Sequence, residues 1–173
     1  MKRKQQLVFF SIANATAFKS KLATNIAPII TRYRFLNILM LAPELTKMVF
    51  SAQKMMNVST QPLVAVNIAF SQSGLNALSV NDDIGSSELT GGMYALSPML
   101  GDAKSNWLPQ LTGTTIHGVF MIVSDTTARV NQQVTALQNT LGSSIVTRHT
   151  LLGESRASPN EGKESAHLEC TRW

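Results

Sequence analysis

At 173 residues the chain is long enough for one domain with a real core and rarely for two. Its composition, 44% hydrophobic and only 14% charged, excludes a disordered tail, and its single cysteine, Cys170, excludes a disulfide scaffold and a cysteine-based zinc centre. The net charge of +5 is uneven, with nine Lys and Arg against one acid (Glu44) in residues 1–60 and six against nine in the rest. Bases scattered in this way over the first third of a chain do not build a nucleic-acid face, and no apolar run reaches the ~18 residues of a membrane-spanning helix.

The amino terminus opens with Lys2, Arg3 and Lys4 before an apolar run, Leu7–Ala13, that has the look of a secretory leader. The run is short, rich in β-formers and leads directly into a capped helix pattern, so a first strand over Leu7–Ile12 is the better reading. Asn14 is placed to cap a helix on which Phe18, Leu22, Ile26 and Ile29 recur at helical spacing, with Pro28 bending or ending it. Residues 31–60, basic and rich in methionine, fit no element and stand as a poorly fitting insertion. Leu63–Ser71 reads as a second strand and Ser73–Val80 as a short helix.

Residues 81–114, punctuated by Gly85, Gly91, Gly92, Pro98, Gly101, Pro109 and Gly113, read as a long irregular excursion. Thr115–Ser124 is apolar on both faces and so reads as a central strand. Asp125 is the expected cap of a helix carrying the stripe Val130, Val134, Leu137 and Leu141, which Gly142 stops. Ile145–Leu152 reads as the last strand, and residues 153–173 as a polar tail without period.

The order strand, helix, strand, strand, helix, strand defines an α+β, ferredoxin-like βαββαβ domain over residues 1–152, with both helices on one face of an antiparallel sheet. The other face also carries apolar residues and has no cover, which calls for a partner: another domain or a second copy of the chain.

No constellation of catalytic residues stands out. His117 sits among apolar strand residues and reads as a hydrogen-bonded structural histidine, His149 as an edge or surface residue, and His167 with Cys170 as half a metal site at best. Ser73-Gly74 reads as a cap and Gly85-Ser86 as a turn. Asp82-Asp83 lacks further acids at calcium-loop spacing, and Gly91-Gly92 is too short for a phosphate-binding loop. The expected catalytic, cofactor-binding and metal-binding residues of this chain are therefore none.

A longer pattern runs through Thr60-Gln61-Pro62-Leu63-Val64-Ala65-Val66-Asn67-Ile68-Ala69-Phe70-Ser71, Gly74-Leu75-Asn76-Ala77-Leu78, Asn106-Trp107-Leu108-Pro109 and Gly113-Thr114-Thr115-Ile116-His117-Gly118-Val119-Phe120. Together with Phe18-Lys19 and Ile26-Ala27-Pro28, it closely resembles the amino-terminal domain of fungal dye-decolorizing (DyP-type) haem peroxidases. The resemblance implies two ferredoxin-like domains packed through their sheets, haem b held mainly by the second, peroxide reduction, and oxidation of dyes or phenolics. It also implies a G-x-x-D-G motif with a catalytic aspartate soon after a segment like Gly153-Glu154-Ser155-Arg156. Here the match stops near Glu164, and neither that aspartate, the haem histidine nor the distal arginine has a counterpart. The expectation is an oxidoreductase by family whose chain, as given, looks truncated before its catalytic motif, binds no haem alone, and lacks its carboxy-terminal domain. The alternative is a stand-alone binding or dimerisation module. Neither a nucleic-acid nor a membrane partner is expected, and the compartment stays open between secreted and cytoplasmic.

Overall fold

The structure, a computed structural model, describes residues 4–30, 64–81, 85–112 and 115–155 and the backbone of 168–170. The insertion at 31–60, Asp82, Asp83, Glu164 and His167 lie outside the described residues.

Strand β1 (Lys4–Ile12) starts three residues earlier than its apolar core suggests. Its alternation sends Val8 and Phe10 into the core, while Leu7 and Phe9 on the opposite face are half-buried. Asn14 caps α1 (Ala15–Lys21) as expected, its side-chain oxygen accepting the Ala17 N–H at 2.9 Å. The helix then widens into a π turn over Leu22–Ile26 and closes as a 3-10 turn, Ala27–Ile29, at Pro28. That sequence of turns keeps both Phe18 and Ile26 pointed into the core.

Strand β2 (Ala65–Phe70) leads into α2 (Gln72–Ala77), capped by Ser71, whose Oγ accepts the Gly74 N–H at 3.2 Å. The excursion holds more order than its glycines suggest, because Ser87–Leu96 is helical (α3), kinked at Gly92, and followed by two short 3-10 turns. Tyr94 and Trp107 meet there edge to face at 5.8 Å, with the Lys104 ammonium 5.3 Å from the Tyr94 ring.

Strand β3 (Gly118–Ser124) buries Gly118, Phe120, Ile122 and Ser124. It lies between β2 and β1, as its two apolar faces suggest, but its second face (Val119, Met121 and Val123) is half-buried, not enclosed. Helix α4 (Thr127–Leu141) is capped by Thr126 and not by Asp125. Asp125 instead accepts from the Ser124 hydroxyl at 2.9 Å and from the Arg129 guanidinium at 2.8 and 3.0 Å. Both residue types can cap, and the ion pair with Arg129 one turn along takes the carboxylate out of the cap. Gly142 ends the helix at φ +50°.

Strand β4 (Ile145–Ser155) runs three residues beyond the expected end, and the tail contributes a short strand β5 (Leu168–Cys170) that pairs with Gly153–Ser155. No apolar alternation marks β5, since an edge strand three residues long needs none. The antiparallel sheet has the order β2-β3-β1-β4-β5, so its first four strands have the ferredoxin-like arrangement. The chain is α+β, with α1 and α4 on one face.

The core is the layer between these helices and the sheet. Phe18 from α1, Ile26 from the π turn that follows it, and Val130, Val134, Leu137 and Leu141 from α4 meet Val8, Phe10, Val66, Phe120 and Ile122. Phe10 stacks on Phe120 at 4.9 Å and lies 5.6 Å from Phe18, while Phe70 closes edge-on against Phe10 and Phe18. This aromatic knot contains the three largest fully buried side chains among the described residues, Phe10, Phe18 and Phe120, and anchors β1, β2, β3 and α1 to one another.

Candidate functional site

Two features of the described residues stand apart from the helix-covered core: the open face of the sheet, and a junction of strand ends around His117. On the open face, register places Leu7 of β1 beside Met121 of β3 and Leu151 of β4. Phe9 lies beside Val119 and His149, and Asn67 and Ala69 of β2 extend the same surface. Leu7, Phe9, Val119, Met121, Val123, His149 and Leu151 are all half-buried. His149 is an edge position, as expected, since β5 pairs only with Gly153–Ser155 and no described strand lies outside it. It is half-buried, with its ring 6.3 Å from that of Phe9, tilted by 36°. Between Phe9 and Phe10 the pairing with β4 slips by one residue, leaving Arg148 in the bulge, where its Nε donates to Ser11 Oγ at 2.8 Å.

His117 lies immediately before β3, not within it, and is partly buried. Its Nδ1 accepts the Ile12 N–H at 3.0 Å, so the hydrogen-bonded structural histidine expected from sequence is what the geometry shows. Its main-chain N–H donates to the Phe10 carbonyl and its carbonyl accepts the Ser71 N–H. Burial holds the imidazole below its ordinary value, and the Arg148 charge pushes the same way. Around it, Ser71 Oγ and Ser73 Oγ both donate to the Ile116 carbonyl, at 2.6 and 3.2 Å, so Ser73 binds the incoming strand while Ser71 caps the helix. Gly85-Ser86 precedes α3, with the Ser86 hydroxyl on Glu88 at 2.9 Å, and Gly91-Gly92 lies inside that helix. Cys170 belongs to β5.

These groups do not converge on a reactive centre. Among the described residues, no three His, Cys, Asp or Glu come together as a metal site, and no helix is long and apolar enough to cross a membrane. The cavity between β1, β4 and the start of α4, lined by Lys4, Val130, Leu152 and Glu154, holds about 180 Å³, below the roughly 300–1,000 Å³ of small-molecule pockets. A haem would need an axial ligand and a pocket of its own. His117 is committed to Ile12, His149 lies against Phe9 within the sheet surface, and the cavity is too small and bordered by the Lys4–Glu154 ion pair. The described residues do not fit the group. What the sequence reading did not locate is the Arg148–Ser11 bond and the Tyr94–Trp107 contact, each made between residues too far apart in sequence to leave a periodic trace.

The geometry defines a ferredoxin-like α+β unit with helices on one face of its sheet and, among the described residues, a half-buried apolar second face. A family model described as the DyP dimeric alpha+beta barrel domain matches residues 1–157, and the chain belongs to that family. It is 39% identical over 163 residues to a dye-decolorizing peroxidase of Mycena epipterygia, covering 94% of this chain and 27% of the relative. It is 41% identical over 165 residues to Peroxidase 2 of Mycetinis scorodonius, covering 94% and 29%. A crystal structure of a decolorizing peroxidase from Auricularia auricula-judae superposes with a TM-score of 0.72 at 37% identity, over 91% of this chain and 31% of that one. The chain thus spans under a third of the length of these relatives.

Proposed function

We propose that this chain is the amino-terminal layer of a haem-dependent peroxidase that reduces hydrogen peroxide and oxidises dyes or phenolic compounds, and that alone it is catalytically silent. The observation that carries this reading is the pairing of a whole-domain family match, residues 1–157, with relatives more than three times as long. On this reading residues 1–152 form one structural unit, and the chain contributes none of the catalytic, haem-binding or metal-binding side chains. Haem b, when bound in the full assembly, would supply the redox chemistry from a carboxy-terminal domain like that of the longer relatives. The role of this chain is architectural: its open apolar face, centred on Leu7, Phe9, Met121 and Leu151, is the surface on which a second layer rests. The same face favours the second reading, a non-catalytic module that pairs with another copy of itself.

Haem titration decides between these readings when combined with size-exclusion chromatography. The chain alone is expected to give no five-coordinate Soret band and no peroxide-dependent dye bleaching. Refolded together with the remaining two-thirds or so of the Auricularia relative, it is expected to give both. A stoichiometric haem band and turnover from the chain alone overturn the proposal. A clean dimer that ignores the carboxy-terminal partner establishes the module instead.

A further inference from the structure

Three strand ends meet at His117. Its main-chain N–H holds the Phe10 carbonyl at 2.9 Å, its carbonyl holds the Ser71 N–H at 3.1 Å, and its ring holds the Ile12 N–H at 3.0 Å. A main-chain N–H donating to an imidazole nitrogen requires that nitrogen to be bare, so the ring is neutral with its proton on Nε2. Ile12 is the last residue of β1, and the next two N–H groups, of Ala13 and Asn14, both donate to the Ser144 carbonyl. The passage from β1 into α1 is therefore tied down at two points, one of them titratable. We propose that His117 is a proton-operated latch on the end of β1, closed when its ring is neutral and released when the ring is protonated.

An imidazolium has donors at both nitrogens, so protonated Nδ1 would face the Ile12 N–H donor to donor. Arg148, held in the β4 bulge by Ser11, is the charged group that bears on the ring and adds like-charge repulsion. Among the described residues, β1 contributes Phe10, Ser11 and Ile12 to the junction, the end of β2 contributes Ser71, and α2 contributes Gly74, none of which ionises. No described acid at this junction offsets the repulsion. Because the folded ring is held below its ordinary value, the unfolded or opened chain binds the proton more readily. The latch is fully closed above the ordinary histidine value of about 6.5 and opens as pH falls from there through the folded-state midpoint. Release loosens the strand end beside the packed rings of Phe10 and Phe18. This device does not depend on the peroxidase reading.

The test is NMR on the full chain. At pH 7.5 the His117 ring nitrogens are expected to report the Nε2-protonated neutral form. Exchange of the Ile12 amide, corrected for its intrinsic rate, is expected to accelerate by up to tenfold per pH unit from about 6.5 down to the His117 midpoint. His117→Asn, whose side-chain oxygen accepts without titrating, is expected to keep Ile12 protected with a flat profile. Three results overturn the proposal: a ring that titrates at or above 6.5, an Ile12 amide indifferent to that titration, or the same slope in H117N. The first two are read in the unaltered chain, so the outcome does not depend on the variant folding.

Discussion

At the scale of single residues, the closest backbone approach at a described glycine is set by a missing side chain. A Cβ added to Gly74 would stand 1.8 Å from the His117 carbonyl oxygen and 2.7 Å from its carbonyl carbon. The obstacle is backbone, and that backbone is pinned: the same carbonyl accepts from Ser71 N–H, and the preceding one accepts from two serine hydroxyls. A flexible side chain could rotate away, whereas this junction has to move as a unit. Gly74→Ala is therefore expected to cost roughly 1–3 kcal/mol, the range of overpacking a dense interior, and to break the Ser71–His117 bond with it. Urea unfolding monitored by circular dichroism measures the loss. An unchanged midpoint would show that α2 and the His117 segment are less closely docked than their geometry indicates. In the sequence Ser73-Gly74 reads only as a helix cap, a role that Ser71 takes instead. What Gly74 does depends on a contact with residues more than forty positions away, which no local pattern encodes.

At the scale of elements, α4 shows which terms dominate. Its Thr126 cap is long, 3.4 Å from the Arg129 N–H, while Leu141 at its other end is completely buried. Thr126→Ala is expected to cost about 0.5–1 kcal/mol, the low end for a cap, and Leu141→Ala roughly 2–5 kcal/mol, through lost transfer energy and the cavity left behind. Thermal melts of the two variants should differ accordingly, and equal losses would mean that the helix end, not its apolar stripe, holds it to the sheet. Asp125, held below its ordinary carboxylate value first by the Ser124 hydroxyl and further by Arg129, favours the fold above that value and loses the contribution as pH falls through its folded-state midpoint. This helix also shows why so much of the fold is readable from sequence. Val130, Val134, Leu137 and Leu141 are spaced for burial on one face, and all four are buried. The alternation in β1 and β3 likewise separates core from open face. What is not readable is chosen by competition or by distance: Arg129 draws Asp125 out of the cap, Gly92 at φ +72° breaks the helical run and lets it resume, and β5 is placed by pairing with Gly153–Ser155. The candidate site divides the same way, since the apolar second face is written in alternation while the His117 and Arg148 bonds are made across more than a hundred residues.

At the scale of the whole molecule, the described residues form an asymmetric fold. One side of the sheet is sealed by Phe18, Ile26 and the α4 stripe, and the other carries Leu7 between Met121 and Leu151 with Phe9 alongside. The open-face side chains are half-buried and lie outside the packed cluster, so their apolar character is not needed to close the core. Removing it should spare folding and abolish association, which separates a docking surface from an ordinary sheet face. Met121→Lys puts a charge at the centre of that surface while its long aliphatic stem can still lie along neighbouring side chains. The unaltered chain is expected to elute as an assembly, or to co-elute with the carboxy-terminal portion of a relative. M121K is expected to elute as a monomer with an unchanged far-ultraviolet circular dichroism spectrum. A parallel substitution on the sealed side, Ile122→Lys, serves as the contrast: it buries a charge in the core, and the chain should fail to fold rather than merely fail to associate. If the unaltered chain is itself a stable monomer that binds no second layer, and M121K behaves identically, the apolar second face is not an interface and the architectural role proposed for this domain fails with it.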